Sequence, residues 1–312
     1  MATSLVTHAA CLRHLTPDGH PECVARLEHV LEALSSPAFS ALERNEATSA
    51  QIHEIMLAHP GSYVRDILGR VPDNGFVAID DDSFLSPGSG DAALHAAGAV
   101  ITAVDAIMAG DVDNAFCAIR PPGHHAEPNK AMGFCFFNNI AVGAHHARMV
   151  HGLHRVAVVD FDVHHGNGTQ AIFDAESTLF YASSHQFPLY PGTGHPSERG
   201  LNNNIINIGL PPSSGSGMFR DAIHRIIDQL HRFQPEMLMI SAGFDGHRSD
   251  PLAGLLLDEE DFHWATMELA QFAQDTCNGR VVSALEGGYD LQALAASTAA
   301  HVEALMNAGA RN

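Results

Sequence analysis

Short runs rich in Val, Ile, Phe and Ala recur along the chain and end abruptly in Gly, Asp, His or Pro. They are NAFCAIRPPGHH, RVAVVDFDVHHG, TLFYASSH, NIINIGL, MLMISAGFD and RVVSALEGGY. Continuous apolar runs with such boundaries predict strands buried on both faces. Between them lie Ala/Leu-rich stretches with helical periodicity, over 91–109, 138–151, 217–233, 258–277 and 290–308. Strands alternating with helices predict an α/β fold, a central, mostly parallel sheet flanked by helices. No repeat, low-complexity tract or linker interrupts the alternation, so one domain over 1–312 is expected. In a parallel sheet the carboxyl ends of the strands share one edge, where open α/β sheets place ligands. The polar residues that follow each apolar run therefore belong to one place.

Composition narrows the picture. The chain has 312 residues, 46% hydrophobic and 17% charged, enough to build a sizeable core. Sixteen Lys and Arg stand against 36 Asp and Glu, a formal charge of −20. Such a chain repels a phosphate backbone, so no direct nucleic-acid binding is expected, and a cationic or neutral substrate is easier to accept. Five cysteines without CxxC spacing suit a reducing, cytoplasmic setting. GAVITAVDAIMAG, the most apolar segment, is short and broken by Asp105, so no membrane insertion is expected.

The run VVDFDVHHGNGTQ, 158–170, carries the first candidate chemistry. Alternation along a strand would put Asp160, Asp162 and His164 on one side, with Phe161 and Val163 on the other. Two carboxylates ending a buried apolar run need a compensating charge, and a divalent cation supplies one. The simpler reading is that the aspartates cap backbone donors. In SAGFDGHRSDPLAG, Asp245 again closes an apolar run, and together with Asp162 and His164 it completes a three-ligand set with an open position, the catalytic arrangement. RPPGHHAEPNK offers His124 and His125 on a loop stiffened by proline, as acid and base groups require. In SALEGGYDLQ the glycine pair after Glu286 lets Tyr289 turn over a pocket, where its hydroxyl can donate to an oxygen gaining charge. His145 and His146 sit in a helical pattern, point in different directions and receive no role.

RPPGHH, GFCFFNNIAVGA, VDFDVHHGNGTQ, YPGTG, SAGFDGH and LEGGY occur in this order. Together they resemble the histone deacetylase superfamily, most closely its class II and bacterial deacetylase-like amidohydrolase members. The resemblance implies an arginase-like α/β fold and a zinc-dependent hydrolase that removes acyl groups from amines, typically acetyl from lysine. It makes Asp162, His164 and Asp245 the zinc ligands, with iron(II) or cobalt(II) compatible. His124 and His125 become the tandem active-site histidines, with His125 favoured as base, and Tyr289 the tyrosine that polarises the carbonyl. Asp160 resembles the aspartate that orients His124, and Asn167 stands where class I members carry an aspartate behind the second histidine. Phe134, beside Gly133, and Tyr190 resemble the aromatic walls of the acyl-lysine tunnel; Tyr190 stands where phenylalanine is more usual, and Leu189 is the other candidate for that wall. Leu252 falls at the tunnel mouth, Asp82 matches a rim aspartate, and Arg26 the arginine at the foot of an internal cavity. Backbone carbonyls near Asp160, Asp162 and Ser183 match a structural potassium site.

Three rivals share parts of this pattern. An arginase-type binuclear manganese hydrolase needs a further bridging carboxylate where this chain has Gly166. An acetylpolyamine deacetylase shares the chemistry, although its acidic gatekeeper is replaced here by Leu252; Asp258, Glu259 and Glu260 nearby read as the first turn of a helix, favoured by its dipole. A protein that binds acyl-lysine without catalysis would be expected to lack a ligand or Tyr289, and neither is missing. PGSGDAALHAAG reads as a loop before an Ala-rich helix rather than a phosphate loop. The partners expected are an acylated lysine peptide or protein, or an acetylated polyamine; an oligomer is compatible with the sequence.

Overall fold

A computed structural model describes residues 2–308. The chain runs through β1 (Thr3–Thr7), α1 (Val24–Ala33), β2 (Glu43–Glu46), α2 (Ile52–Ile55), α3 (Gly61–Gly69), β3 (Val77–Ala78), β4 (Phe84–Leu85) and α4 (Ser89–Ala109). It continues through β5 (Asn114–Cys117), α5 (Asn139–Met149), β6 (Val156–Asp160), α6 (Asn167–Phe173), β7 (Leu179–Gln186) and β8 (Ile205–Leu210). It ends with α7 (Ser216–Phe233), β9 (Met237–Ala242), α8 (Glu259–Thr276), β10 (Val281–Leu285) and α9 (Leu291–Asn307). Eight strands form one parallel sheet in the order β2-β1-β5-β10-β9-β6-β7-β8, and β3 pairs with β4 as a separate antiparallel ribbon.

The six predicted strands and five predicted helices are present, and each central strand is buried along its whole length, as its unbroken apolar run requires. Helices α4 and α5 pack together beside the sheet, and α7, α8, α9 and α1 form a second connected layer. The seven elements before α4 (β1, α1, β2, α2, α3, β3 and β4) were not visible as patterns. Strand β2, Glu-Arg-Asn-Glu, is exposed at every position on the sheet edge and presents no apolar signal.

Helix α4 alters one expectation. It has 21 residues, an 18-residue stretch of it has a mean hydropathy of 1.6, and so it is long and apolar enough by length and composition to cross a membrane; Asp105 does not interrupt it. Sixty-one per cent of that stretch is buried, so its apolar surface is used against α5 and the sheet. At α8 the acidic cluster is the helix start: Asp258 stands at the cap, Glu259 and Glu260 in the first turn.

After β5 the chain skips two strand positions to form β6, and β10 and β9 later fill the gap. The four adjacent strands β5, β10, β9 and β6 thus deliver four loops, distant in sequence, to one stretch of the carboxyl edge.

Candidate active site

Strand β6 ends at Asp160, four residues short of the alternation through His164 expected from the sequence. Asp162 and His164 lie in the turn beyond it, where the Asp162 amide donates to Asp160 Oδ1 at 3.1 Å and the His164 amide to Asp162 Oδ1 at 2.9 Å. Side-chain acceptors two residues back have replaced the ladder, so these turns, rather than a strand pleat, aim the ligand groups. Asp245 follows β9 and accepts from the Val163 amide at 2.9 Å, tying the two loops together.

Asp162, His164 and Asp245 are all buried, and one ligand atom from each lies within 4.8 Å of the others. His164 Nδ1 is 3.2 Å from Asp162 Oδ1 and 3.0 Å from Asp245 Oδ2. Glycine backbone walls this corner: a Cβ at Gly243 would lie 2.0 Å from Asp162 Oδ2, and one at Gly287 2.1 Å from Asp245 Oδ2. Among the described residues the carboxylates' ion-pair partners are His164 and, at 3.9 Å from Asp162, His124. Burial and the neighbouring Asp162 charge push Asp245 up to about 7. Burial opposes charge on His164, yet the two aspartates outweigh it and raise the ring to about 10. Two carboxylates and an imidazole nitrogen, crowded together and buried, are a donor set that a divalent cation fits, since the cation supplies positive charge to the two carboxylates.

The two histidines after β5 have different surroundings. His124 Nδ1 donates to Asp160 Oδ2 at 3.0 Å, and Asp160 also accepts from the Tyr181 hydroxyl at 3.0 Å. Burial disfavours charge on His124, but Asp162, Asp160 and Glu286 together hold it well above the usual imidazole range. His125 Nδ1 donates to Asn167 Oδ1 at 2.8 Å. The Asn167 amide is fixed in that sense because its Nδ2 donates to Glu127 Oε1 at 2.8 Å. Burial first, then the adjacent His124 and His164, keep His125 well below the usual range, so it stays neutral with Nε2 unprotonated.

Tyr289 enters on the β10 loop. Its amide donates to Asp250 Oδ2 at 2.7 Å, and the Arg26 guanidinium carbon lies 4.9 Å from its ring centroid. Burial and then Asp245 hold the phenol well above its ordinary value, which keeps its proton available for donation. Arg26 also donates to the carbonyls of Glu286 and Gly288, and is itself paired at 3.1 Å with Glu22, which Arg120 grips from the other side. Arg26 thus clamps the loop from behind Tyr289 and does not line the tunnel.

The tunnel is a cavity of about 270 Å³ lined by Pro21, Asp82, His125, Gly133, Phe134, His164, Leu189, Tyr190, Leu252 and Tyr289. Every residue placed on the tunnel or rim from sequence is in this set, and Leu189 and Tyr190 both contribute, so the choice between them disappears. Phe134 takes φ +68°, and a Cβ on Gly133 would lie 2.4 Å from His125 Cδ2; a side chain there would displace the ring. Ser183, tied by the resemblance to a cation, pairs with Asp160 across β6 and β7.

Residues 20–305 match the histone deacetylase domain. The chain belongs to the histone deacetylase family. Among curated relatives, the probable deacetylase of Archaeoglobus fulgidus is 36% identical over 94% of this chain and 82% of its own length. The histone deacetylase-like amidohydrolase of Pseudomonas aeruginosa is 38% identical over 86% of this chain and 71% of its own. A crystal structure of the HDA15 HD domain superposes with a TM-score of 0.91 at 31% identity, covering 99% of this chain and 89% of that one. By family this histone deacetylase homologue is a deacetylase or amidohydrolase, and the family implies a metal-dependent enzyme.

Sequence reasoning missed the supports of the site. Glu286 accepts the amides of Gly123 and His124 at 2.7 and 3.1 Å and the Ser241 hydroxyl at 3.1 Å; burial pushes it up to about 7, with His124 pulling against that. Glu127, Tyr181 and Asp250 were also overlooked. Their only sequence signal was proximity to the motifs, in HHAEP, FYASS and RSDPL.

Proposed function

We propose that this deacetylase is zinc-dependent and removes acetyl or another acyl group from the side-chain amine of lysine in proteins or peptides. The observation that carries the reading is the convergence of Asp162, His164 and Asp245 at the floor of a narrow, apolar-walled cavity that His125 and Tyr289 also line. Phe134, Leu189, Tyr190 and Leu252 suit a linear alkyl chain, and the floor suits a polar amide.

Asp162, His164 and Asp245 would hold the metal, with zinc favoured by the mixed oxygen and nitrogen set and iron(II) or cobalt(II) able to occupy it. When bound, the metal supplies Lewis-acid polarisation and lowers the pKa of a water to about 7. His125, neutral and with its Nδ1 proton committed to Asn167, takes the proton of the attacking water at Nε2. The Tyr289 hydroxyl donates to the carbonyl oxygen as it gains negative charge. His124, held cationic by Asp160, stabilises the developing charge, and the proton on His125 passes to the departing amine. Arg26 and Asp250 fix the Tyr289 loop.

A second reading, an acetylated polyamine as substrate, rests on Asp82, the one acidic side chain among the tunnel-lining residues apart from the floor. Acetate release by the zinc-loaded protein from an acetyl-lysine peptide and from acetylspermidine separates the two. Faster turnover of the peptide supports the first reading, and faster turnover of acetylspermidine replaces it with the second. Release unchanged in Asp162→Ala would end the metal mechanism.

A further inference from the structure

Among the described residues, only two groups of three His, Cys, Asp or Glu side chains bring one ligand atom each within 4.8 Å of one another. One is the site above. The other is Asp105, His146 and His151, where the last turns of α4 pack beside the end of α5. Both imidazole Nε2 atoms converge on the same oxygen: His146 lies 2.7 Å and His151 2.6 Å from Asp105 Oδ1. The two rings are 5.4 Å apart and inclined by 72°, so they approach the carboxylate from different directions instead of stacking. His146 is buried, His151 is half-buried and Asp105 is exposed, which leaves the cluster open to solvent on the carboxylate side.

We propose that Asp105, His146 and His151 form a second divalent transition-metal site, of the zinc class, separate from the catalytic one. Two imidazole nitrogens and one carboxylate oxygen are a donor set for zinc, and solvent water completes the coordination. Zinc bonds of about 2.0–2.2 Å put neighbouring ligand atoms about 3.3 Å apart, so the cluster has to open by roughly 0.6 Å. The exposed Asp105 side chain provides that movement by rotation. One feature weakens the site: His146 Nδ1 is buried without a hydrogen-bond partner. Coordination through Nε2 leaves the ring proton on that nitrogen without the acceptor that metal-binding histidines usually have. The catalytic group therefore fills first and this one at higher zinc. Occupied, it clips the end of α4 to the turn after α5.

The test is a zinc titration against a chromophoric chelator with the full chain. Wild-type protein takes up two equivalents, the second more weakly, and His151→Ala takes up one while its deacetylase activity at one equivalent of zinc is unchanged. Asp162→Ala/Asp245→Ala protein still takes up one equivalent, which isolates the new site from the catalytic reading. Asp105→Asn keeps an acceptor for both rings, so its metal-free melting temperature stays at the wild-type value while affinity for the second zinc falls at least tenfold. A single equivalent in wild-type protein, or a second equivalent that survives His151→Ala, overturns the proposal. Should the double variant fail to fold, the wild-type and His151→Ala counts decide alone.

Discussion

His124 and His125 are neighbours in the chain, with ring centroids 4.0 Å apart, yet their corners of the site are electrically opposite. The His124 corner is anionic: Asp160 holds its Nδ1, and Asp162 and Glu286 add to the field. The His125 corner offers the neutral Asn167 amide and two imidazoles that repel a further positive charge. Two identical side chains are therefore driven toward opposite protonation states, and that separation supports the electrostatic role proposed for His124 and the base role proposed for His125. The carboxylate absent behind His125 has moved one bond further back, to Glu127, which orients the amide without charging the ring directly.

The largest effect expected on this comparison comes from Asp162→Ala, which removes a proposed metal ligand together with the charge that His124 faces. Turnover falls to background and the catalytic zinc is lost, as metal analysis with acetate release would show. Next, His125→Ala lowers kcat by about 10²–10⁴-fold, the span of general base catalysis, and by more than His124→Ala does. Equal losses in the two variants would erase the distinction between the corners. Tyr289→Phe follows, at about 10²–10³-fold in kcat with KM little changed, the signature of an interaction made in the transition state.

The subtlest test is Asn167→Asp, which puts a charge where the amide stands. The base must be neutral to act, so kcat/KM is lost as pH falls through the His125 pKa. In the wild type that pKa is depressed, and the acid limb lies below the ordinary imidazole range of about 6.5. The variant raises it, and the acid limb moves to higher pH by about one unit or more. A pH profile with the limb unmoved would refute the role given to Asn167.

The pattern of apolar runs determined much of this protein. Buried parallel strands need unbroken hydrophobic stretches, and long packed helices need a continuous apolar face, so both were legible from local periodicity. The candidate site residues that converge in the fold were legible too, because each follows such a run, where a buried strand has no reason to lead into Asp, His or a Gly-Gly-Tyr turn. Edge strand β2 was not, since an exposed edge imposes no apolar requirement.

Tertiary structure alone decided what no local window contains. It set the strand order that makes β5, β10, β9 and β6 neighbours, and the turns that aim Asp162 and His164 beyond the end of β6. It brought Glu127 to Asn167 and Glu286 to the His124 loop, and it joined Asp105 to His146 and His151, 41 and 46 residues further on. Periodicity records which face of an element is buried. Which groups meet there depends on how distant elements pack, and so does the field that sets their protons.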